Sequence, residues 1–264
     1  MYLETVSVLR SEQVADNTRV ISFRSKNIAP AVRPGQFLNV KPDSSYDPLL
    51  RRAYSVHRII DDEIELIYGI EGKGSAIFSR KRPGDPLDVM GPLGVPFHLD
   101  GDYSLAILVS GGLGIAPMPV LGDALAGKGI EVVNIHGART GSMIVGDDRL
   151  RNPVYATDDG TLGFQGNVVA ALADYLQTVE EGRVIRMFSC GPNKMMEALA
   201  DFAGNHGLPL EVSLECQMAC GIGICQGCPV EMKGGPRKFS LVCTHGPNYD
   251  VKDVLLESLP SVHG

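Results

Sequence analysis

Five of the six cysteines in this 264-residue chain fall between Cys216 and Cys243. The stretch reads Glu215-Cys-Gln-Met-Ala-Cys220-Gly-Ile-Gly-Ile-Cys225-Gln-Gly-Cys228, with Cys243 beyond it. Cys220, Cys225, Cys228 and Cys243 have the spacing C-x4-C-x2-C-x14-C, the pattern of plant-type [2Fe–2S] proteins. Three thiolates this close must wrap one small group. Gly221, Gly223 and Gly227 let the backbone approach it and reach positive φ. Backbone N–H groups in such a loop can donate to sulfur. A structural zinc site also takes four cysteines, usually as two short pairs, and fits this spacing less well. Cys216 breaks the register and reads as a buried free thiol.

The compartment bears on that choice, because a reducing environment makes clustered cysteines ligands or redox groups rather than disulfides. The N-terminus carries Glu4 within its only apolar stretch and has no basic region before a long apolar run, so no signal peptide is expected. The most apolar segment, Leu105–Val109, is far shorter than the roughly 20 residues a membrane span needs. The chain is expected to be cytoplasmic, without a membrane span. Lys and Arg total 24 against 31 Asp and Glu, a net charge of −7, which argues against nucleic acid as a partner.

Two textures precede the cysteines. Short β-rich runs at Tyr2–Arg10, Arg19–Arg24, Phe37–Lys41, Ala53–Arg58 and Glu63–Tyr68 suggest a small barrel or sandwich, with a helix near Ser75–Arg80. Pro83-Gly-Asp-Pro86 and Gly91-Pro-Leu-Gly94 read as its closing punctuation. From about residue 102, apolar strands alternate with helices, as in βαβ units around a parallel sheet. The strands are Leu105–Ser110, Glu131–His136, Val154–Thr157 and Val184–Ser189. The helices are Met118–Ala126, Asn167–Thr178 and Lys194–His206. From about residue 211 the helices are expected to stop.

Two groups of motifs sit on this frame. In the β-region, Arg52-Ala-Tyr-Ser55 is followed by Gly72-Lys-Gly-Ser75. An arginine with a nearby hydroxyl suits a pyrophosphate, and Tyr54 offers a flat stacking face. Gly74 and Ser75 at a helix start can present N–H groups to phosphate. In the α/β region, Ser110-Gly-Gly-Leu-Gly-Ile-Ala-Pro117 follows a buried strand, and Ser189-Cys-Gly-Pro192 ends another. Such turns at strand C-termini can jointly frame a nicotinamide, or be ordinary βα turns.

Together these motifs resemble the ferredoxin-reductase superfamily and, within it, the electron-transfer subunits of class 1B dihydroorotate dehydrogenases. The likeness runs through Arg33-Pro-Gly-Gln-Phe37, Arg52–Ser55, Gly72–Ser75, Gly91–Gly94, Gly111–Pro117, Ala156-Thr-Asp-Asp-Gly160, Cys190-Gly-Pro192 and, most specifically, Met218-Ala-Cys-Gly-Ile-Gly-Ile-Cys225. It implies a ferredoxin-reductase-like fold, α/β plus β. An antiparallel FAD-binding β-barrel spans 1–100, a parallel α/β NAD-binding domain 101–211 and a small C-terminal [2Fe–2S] domain 212–264. It implies the cofactors FAD, a [2Fe–2S] cluster and NAD(H), and an FMN-containing catalytic subunit as partner, in a heterotetramer of two of each. The partner would oxidise dihydroorotate in pyrimidine biosynthesis.

Carried over, Arg52 would bind the FAD pyrophosphate, with Ala53, Tyr54 and Ser55 along the flavin and Gly74 and Ser75 on phosphate. Ile67, Tyr68 and Gly69 would line the adenine or ribitol side. Gly112 and Gly114 would approach the NAD phosphates, and Cys220, Cys225, Cys228 and Cys243 would hold the cluster. Cys190 reads equally as a catalytic residue beside the nicotinamide or as a small buried residue at a strand end. Asp158 and Asp159 match a motif without a secure role. NAD over NADP rests on the resemblance, since Arg139 could meet a 2′-phosphate. Two alternatives stand beside this reading: a related NAD(P)H flavin/iron–sulfur reductase subunit serving a hydrogenase, sulfide or ferredoxin–NADP system, and a zinc-stabilised nucleotide-binding regulator.

Overall fold

The computed structural model describes residues 1–145 and 149–259, so the last five residues of the 212–264 segment lie outside it. Its first six strands are β1 (Tyr2–Ala15), β2 (Thr18–Arg24), β3 (Phe37–Lys41), β4 (Arg52–Ile60), β5 (Glu63–Gly69) and β6 (Pro86–Leu93). They close an antiparallel barrel in the order β1-β2-β5-β4-β3-β6. β1 is longer than its apolar pattern suggests because it serves two neighbours. Tyr2 to Ser7 pair with β6, and Val8 to Ala15 pair with β2 across register shifts.

β6 was expected only as turn punctuation and is instead a full strand. Leu87, Val89, Gly91 and Leu93 alternate inward along it. The glycine belongs there because a β-carbon at Gly91 would overlap Leu38 of the neighbouring strand. Val8, Phe23, Leu38, Val56, Leu66 and Val89 fill the barrel. Helix α1 (Lys73–Phe78) adds the fully buried Phe78 to the same core.

The second sheet contains β7 (Leu105–Gly111), β8 (Glu131–Ala138), β9 (Pro153–Thr157), β10 (Phe164–Gln165), β11 (Ile185–Cys190) and β12 (Leu210–Ser213). Helices α2 (Met118–Gly127), α3 (Val168–Leu176) and α4 (Asn193–His206) connect these strands. All the pairings among them are parallel. β7 is buried along its whole length, which explains its unbroken apolar run. Leu105, Ile107 and Val109 share a core with residues of α3 and α4, while Ala106 and Leu108 share one with α2 and with Val20 and Ile67 of the barrel.

The cysteine segment contains the hairpin β13 (Pro229–Glu231) and β14 (Phe239–Leu241), a single helical turn α5 (Val242–His245), and β15 (Asn248–Asp250). The helices therefore do not stop at 211: one turn carries Cys243. β12 and β15, neither of them expected, enclose the segment. β15 pairs antiparallel with β12 and forms the edge of the seven-stranded sheet, in the order β10-β9-β8-β7-β11-β12-β15. Among the described residues no helix is long and apolar enough to cross a membrane.

Candidate functional site

The two glycine-rich turns expected to act together do meet. Ser110 pairs with Cys190 at the C-terminal ends of β7 and β11. Just beyond, Gly114 packs so closely that a β-carbon on it would overlap the carbonyl of Cys190. A cleft of about 440 Å³ opens over these turns, walled on the opposite side by Asn17, Gly69 and Glu71 of the barrel region. Gly112 faces it with φ +54 and open space where a side chain would stand. Asn167 adds a third wall at the start of α3, where its side chain accepts hydrogen bonds from the N–H groups of Val169 and Ala170.

Cys190 lies behind this wall rather than in it. Its side chain is buried, and its Sγ donates to Glu215 Oε1 at 3.7 Å, while Gly191, Pro192 and Glu215 line the cleft. Burial pushes the thiol pKa well up, with the Glu215 carboxylate adding to the shift, so the sulfur keeps its proton. Glu215 and Met195 are cleft residues that sequence reasoning missed. Glu215 had a visible signal, standing immediately before the cysteine run. Of the acidic pair, Asp158 lines the cleft, as does Arg139, whereas Asp159 accepts from the N–H and hydroxyl of Thr161 and closes a turn.

The flavin motif gathers at the start of β4. Arg52 lies along the first turn of α1: a β-carbon on Gly74 would come within 2.9 Å of its Nε. Its Nη1 donates to the carbonyls of Leu50 and Arg51. The Tyr54 ring stacks on Phe78 at 5.1 Å and tilts against Tyr68 at 5.6 Å. Burial raises the Tyr54 hydroxyl pKa, so the phenol stays neutral. Ser75 accepts from the N–H groups of Glu71 and Gly72 and so shapes the turn leading into α1. The alternation of β5 separates the other three residues. Tyr68 points into the barrel core, Ile67 packs at the seam with the α/β domain, and Gly69 lines the cleft beneath Leu113.

In the cysteine loop the backbone turns its N–H groups onto sulfur. Ile222 and Cys225 donate to Cys220 Sγ at 3.5 and 3.4 Å, and Gly227 donates to Cys225 Sγ at 3.4 Å. These bonds, led by that of Cys225, lower the Cys220 pKa to about 6 and favour the thiolate that a ligand must be. Cys228 and Cys243 are buried beside each other, joined through the Val242 N–H, which donates to the Cys228 carbonyl. Burial first, and Cys228 second, push Cys243 up to about 12. Cys216 packs close enough to Cys228 and Cys243 to feel both, and burial lifts it to about 12. Among the described residues no three His, Cys, Asp or Glu side chains form a set that could hold a single metal ion. The loop offers instead left-handed glycines at 221 and 223, exposed Cys225 and aligned sulfur acceptors, features that suit an inorganic cluster with its own sulfides. His245 is exposed and its Nδ1 accepts from the Leu241 N–H, so it serves the turn.

A buried ionic group crosses the seam between barrel and α/β domain. Glu65 of β5 meets Arg149 of the α/β domain, and Arg10 at 2.6 Å. His57 of β4 donates from Nδ1 to the carbonyl of Ala116, next to the glycine-rich turn, at 2.9 Å, and its Nε2 lies 3.8 Å from Glu65. Burial lowers His57 to about 3, so it stays neutral.

Residues 215–255 match the iron–sulfur cluster binding domain of dihydroorotate dehydrogenase B. The chain is 33% identical over 260 residues to a dihydroorotate dehydrogenase B (NAD(+)) electron transfer subunit of Geobacillus thermodenitrificans, covering 96% of this chain and 98% of that one. It is 34% identical over 257 residues to the subunit of the same name from Desulforamulus reducens, covering 95% and 97%. Among solved structures, an NADH-dependent reduced ferredoxin-NADP oxidoreductase studied for flavin-based electron bifurcation superposes with a TM-score of 0.85. The identity is 25%, covering 96% of this chain and 91% of that one. Phthalate dioxygenase reductase, at 17% identity, shares the fold with a TM-score of 0.63 over 98% and 94% of the two chains.

Proposed function

The chain belongs to the family of dihydroorotate dehydrogenase B electron transfer subunits, and from that we propose that it carries electrons between NAD(H) and an FMN-containing catalytic subunit through FAD and a [2Fe–2S] cluster. The observation that carries the reading is that a cleft between two domains and a four-cysteine loop lie in one chain, with Glu215 lining the first and opening the second. The flavin, when bound, would take up one hydride, two electrons together, and release them singly, which a nicotinamide cannot do.

The residues have separable tasks. Arg52, at the start of β4 and beside the first turn of α1, would hold the pyrophosphate, and Tyr54, neutral and stacked on Phe78, would give the isoalloxazine a flat wall. Gly112 and Gly114 would admit the NAD phosphates, Gly112 by leaving open space where a side chain would stand and Gly114 by letting its turn close against the Cys190 backbone. Cys190, protonated and tied to Glu215, would fix that carboxylate at the nicotinamide end of the cleft. Cys220, Cys225, Cys228 and Cys243 would ligate the cluster. The catalytic partner would complete a heterotetramer of two of each chain, in the cytoplasm.

The test is spectroscopic and kinetic. The purified chain should show flavin and iron–sulfur absorption bands and should oxidise NADH with an artificial acceptor. It should leave dihydroorotate untouched until the catalytic subunit is added. Turnover of dihydroorotate by the chain alone, or a colourless zinc protein, would overturn the assignment. Co-purification with a different oxidoreductase would replace the partner.

A further inference from the structure

We propose that Asn39 is a positioning residue that holds the cluster loop against the flavin strand and so sets how fast electrons pass from flavin to cluster. The inference rests on the functional reading above and names the residue that joins its two halves. Asn39 lies on β3 and is only 2% exposed. It pairs with Ala53 on β4, with Leu38 opposite Tyr54 and Val40 opposite Arg52 on either side. Its side chain leaves the barrel and donates from Nδ2 to the carbonyl of Cys220 at 2.9 Å, across 181 positions of sequence.

A second observation fits the first. Gly221, the next residue of the loop, has φ +67, and a β-carbon on it would overlap Nδ2 of Asn39. The loop thus reserves space for this amide by both backbone conformation and lack of a side chain. Asn39 is itself fixed, since Arg51 donates to its carbonyl at 3.4 Å while pairing with Asp88 at 2.8 Å. Ala53 and Met90 of the barrel and Met218 and Ile222 of the loop also pack against one apolar core. Among these contacts the Asn39 bond is directional and ends on the peptide of a ligand. Loss of the donor leaves the half-buried Cys220 carbonyl without this partner, so the loop should shift toward another one rather than stay in place.

The electron count is simple. One hydride from NADH brings two electrons to the flavin, the cluster takes them one at a time, and a one-electron acceptor such as ferricyanide removes each in turn. The test uses the full chain carrying FAD and cluster, mixed with NADH in a stopped-flow spectrometer. It follows flavin bleaching and cluster bleaching separately, with the EPR signal of the reduced cluster as a second readout. Asn39→Asp keeps the shape and removes the donor; Asn39→Ala removes the whole amide. Both should bleach the flavin at the wild-type rate, with unchanged FAD and iron per chain. Cluster reduction should slow by about tenfold, the modest end of what small misplacements cost between positioned groups. Unchanged cluster reduction in iron-replete variants overturns the proposal. So does loss of iron from both variants, which would make Asn39 an anchor only. If the wild-type chain lacks flavin or iron, or NADH does not bleach it, the functional reading fails first and the inference falls with it.

Discussion

Gly114 and Cys190, 76 residues apart in sequence, pack backbone to backbone, with no room for even a β-carbon between them. This contact joins the two strand-end turns into one floor for the cleft. Gly114→Ala would have to push β7 and β11 apart, an overpacking cost of about 1–3 kcal/mol. The expected outcome is a chain that keeps FAD and is still reduced by dithionite, but that NADH bleaches slowly or not at all. Normal bleaching by NADH would remove Gly114 from the nucleotide site.

The ligand set is tested by a pair of substitutions. Cys225→Ser should lose the cluster and retain FAD, because its sulfur stands exposed in the cysteine loop, where it accepts from the Gly227 N–H, and takes no part in the barrel motif proposed for the flavin. Cys216→Ser should keep the cluster, because Cys216 lies outside the C-x4-C-x2-C-x14-C spacing. Iron per chain and the visible spectrum read both. Iron retained at position 225 and lost at 216 would reverse the assignment.

Arg52→Ala removes the charged group that spans the β4–α1 junction. A hydrogen bond to a charged group is worth about 1.5–3 kcal/mol. FAD should therefore bind roughly ten- to a hundredfold more weakly. The dissociation constant follows from the fluorescence of released flavin.

The seam between domains should be sensitive to acid. His57 falls from an ordinary 6.5 to about 3, and His136 of β8, hydrogen-bonded to the Ser110 hydroxyl on the neighbouring strand, to about 4, both mainly through burial. Below pH 6.5 the unfolded chain binds protons that the folded chain refuses, so their contribution is full above that pH and is lost as pH falls toward 3. Glu65 is shifted up by burial and acts with the opposite sign above its ordinary 4.5. His57→Asn removes one of the two histidines while leaving Glu65 with Arg149 and Arg10. Its melting temperature should fall less between pH 6.5 and 4 than that of the wild type. An equal fall in both proteins would show that His57 does not contribute.

What the sequence made legible was local. The four cysteines proposed as cluster ligands lie within one loop and one returning turn, so their spacing is visible in the chain itself. β7 could be read because burial on both faces leaves a continuous apolar run. β6 was hidden because Gly91 and Pro92 look like a turn, while only the neighbouring Leu38 explains the glycine. Glu65, His57 and Asn39 were invisible for a related reason. Each is a polar residue in a β-strand whose partner lies far along the chain, at Arg149, Ala116 and Cys220. No periodicity reports such a pairing.

β15 has one further consequence. The chain leaves the nucleotide sheet at β12, forms the cysteine loop and its hairpin, and returns to pair with the strand it left. The iron–sulfur segment is therefore clamped at both ends and cannot swing between donor and acceptor on a linker. Transfer from flavin to cluster within the chain involves no diffusive search, so its rate should be indifferent to solvent viscosity. The partner must come to the cluster, since the cluster has no freedom to travel to the partner.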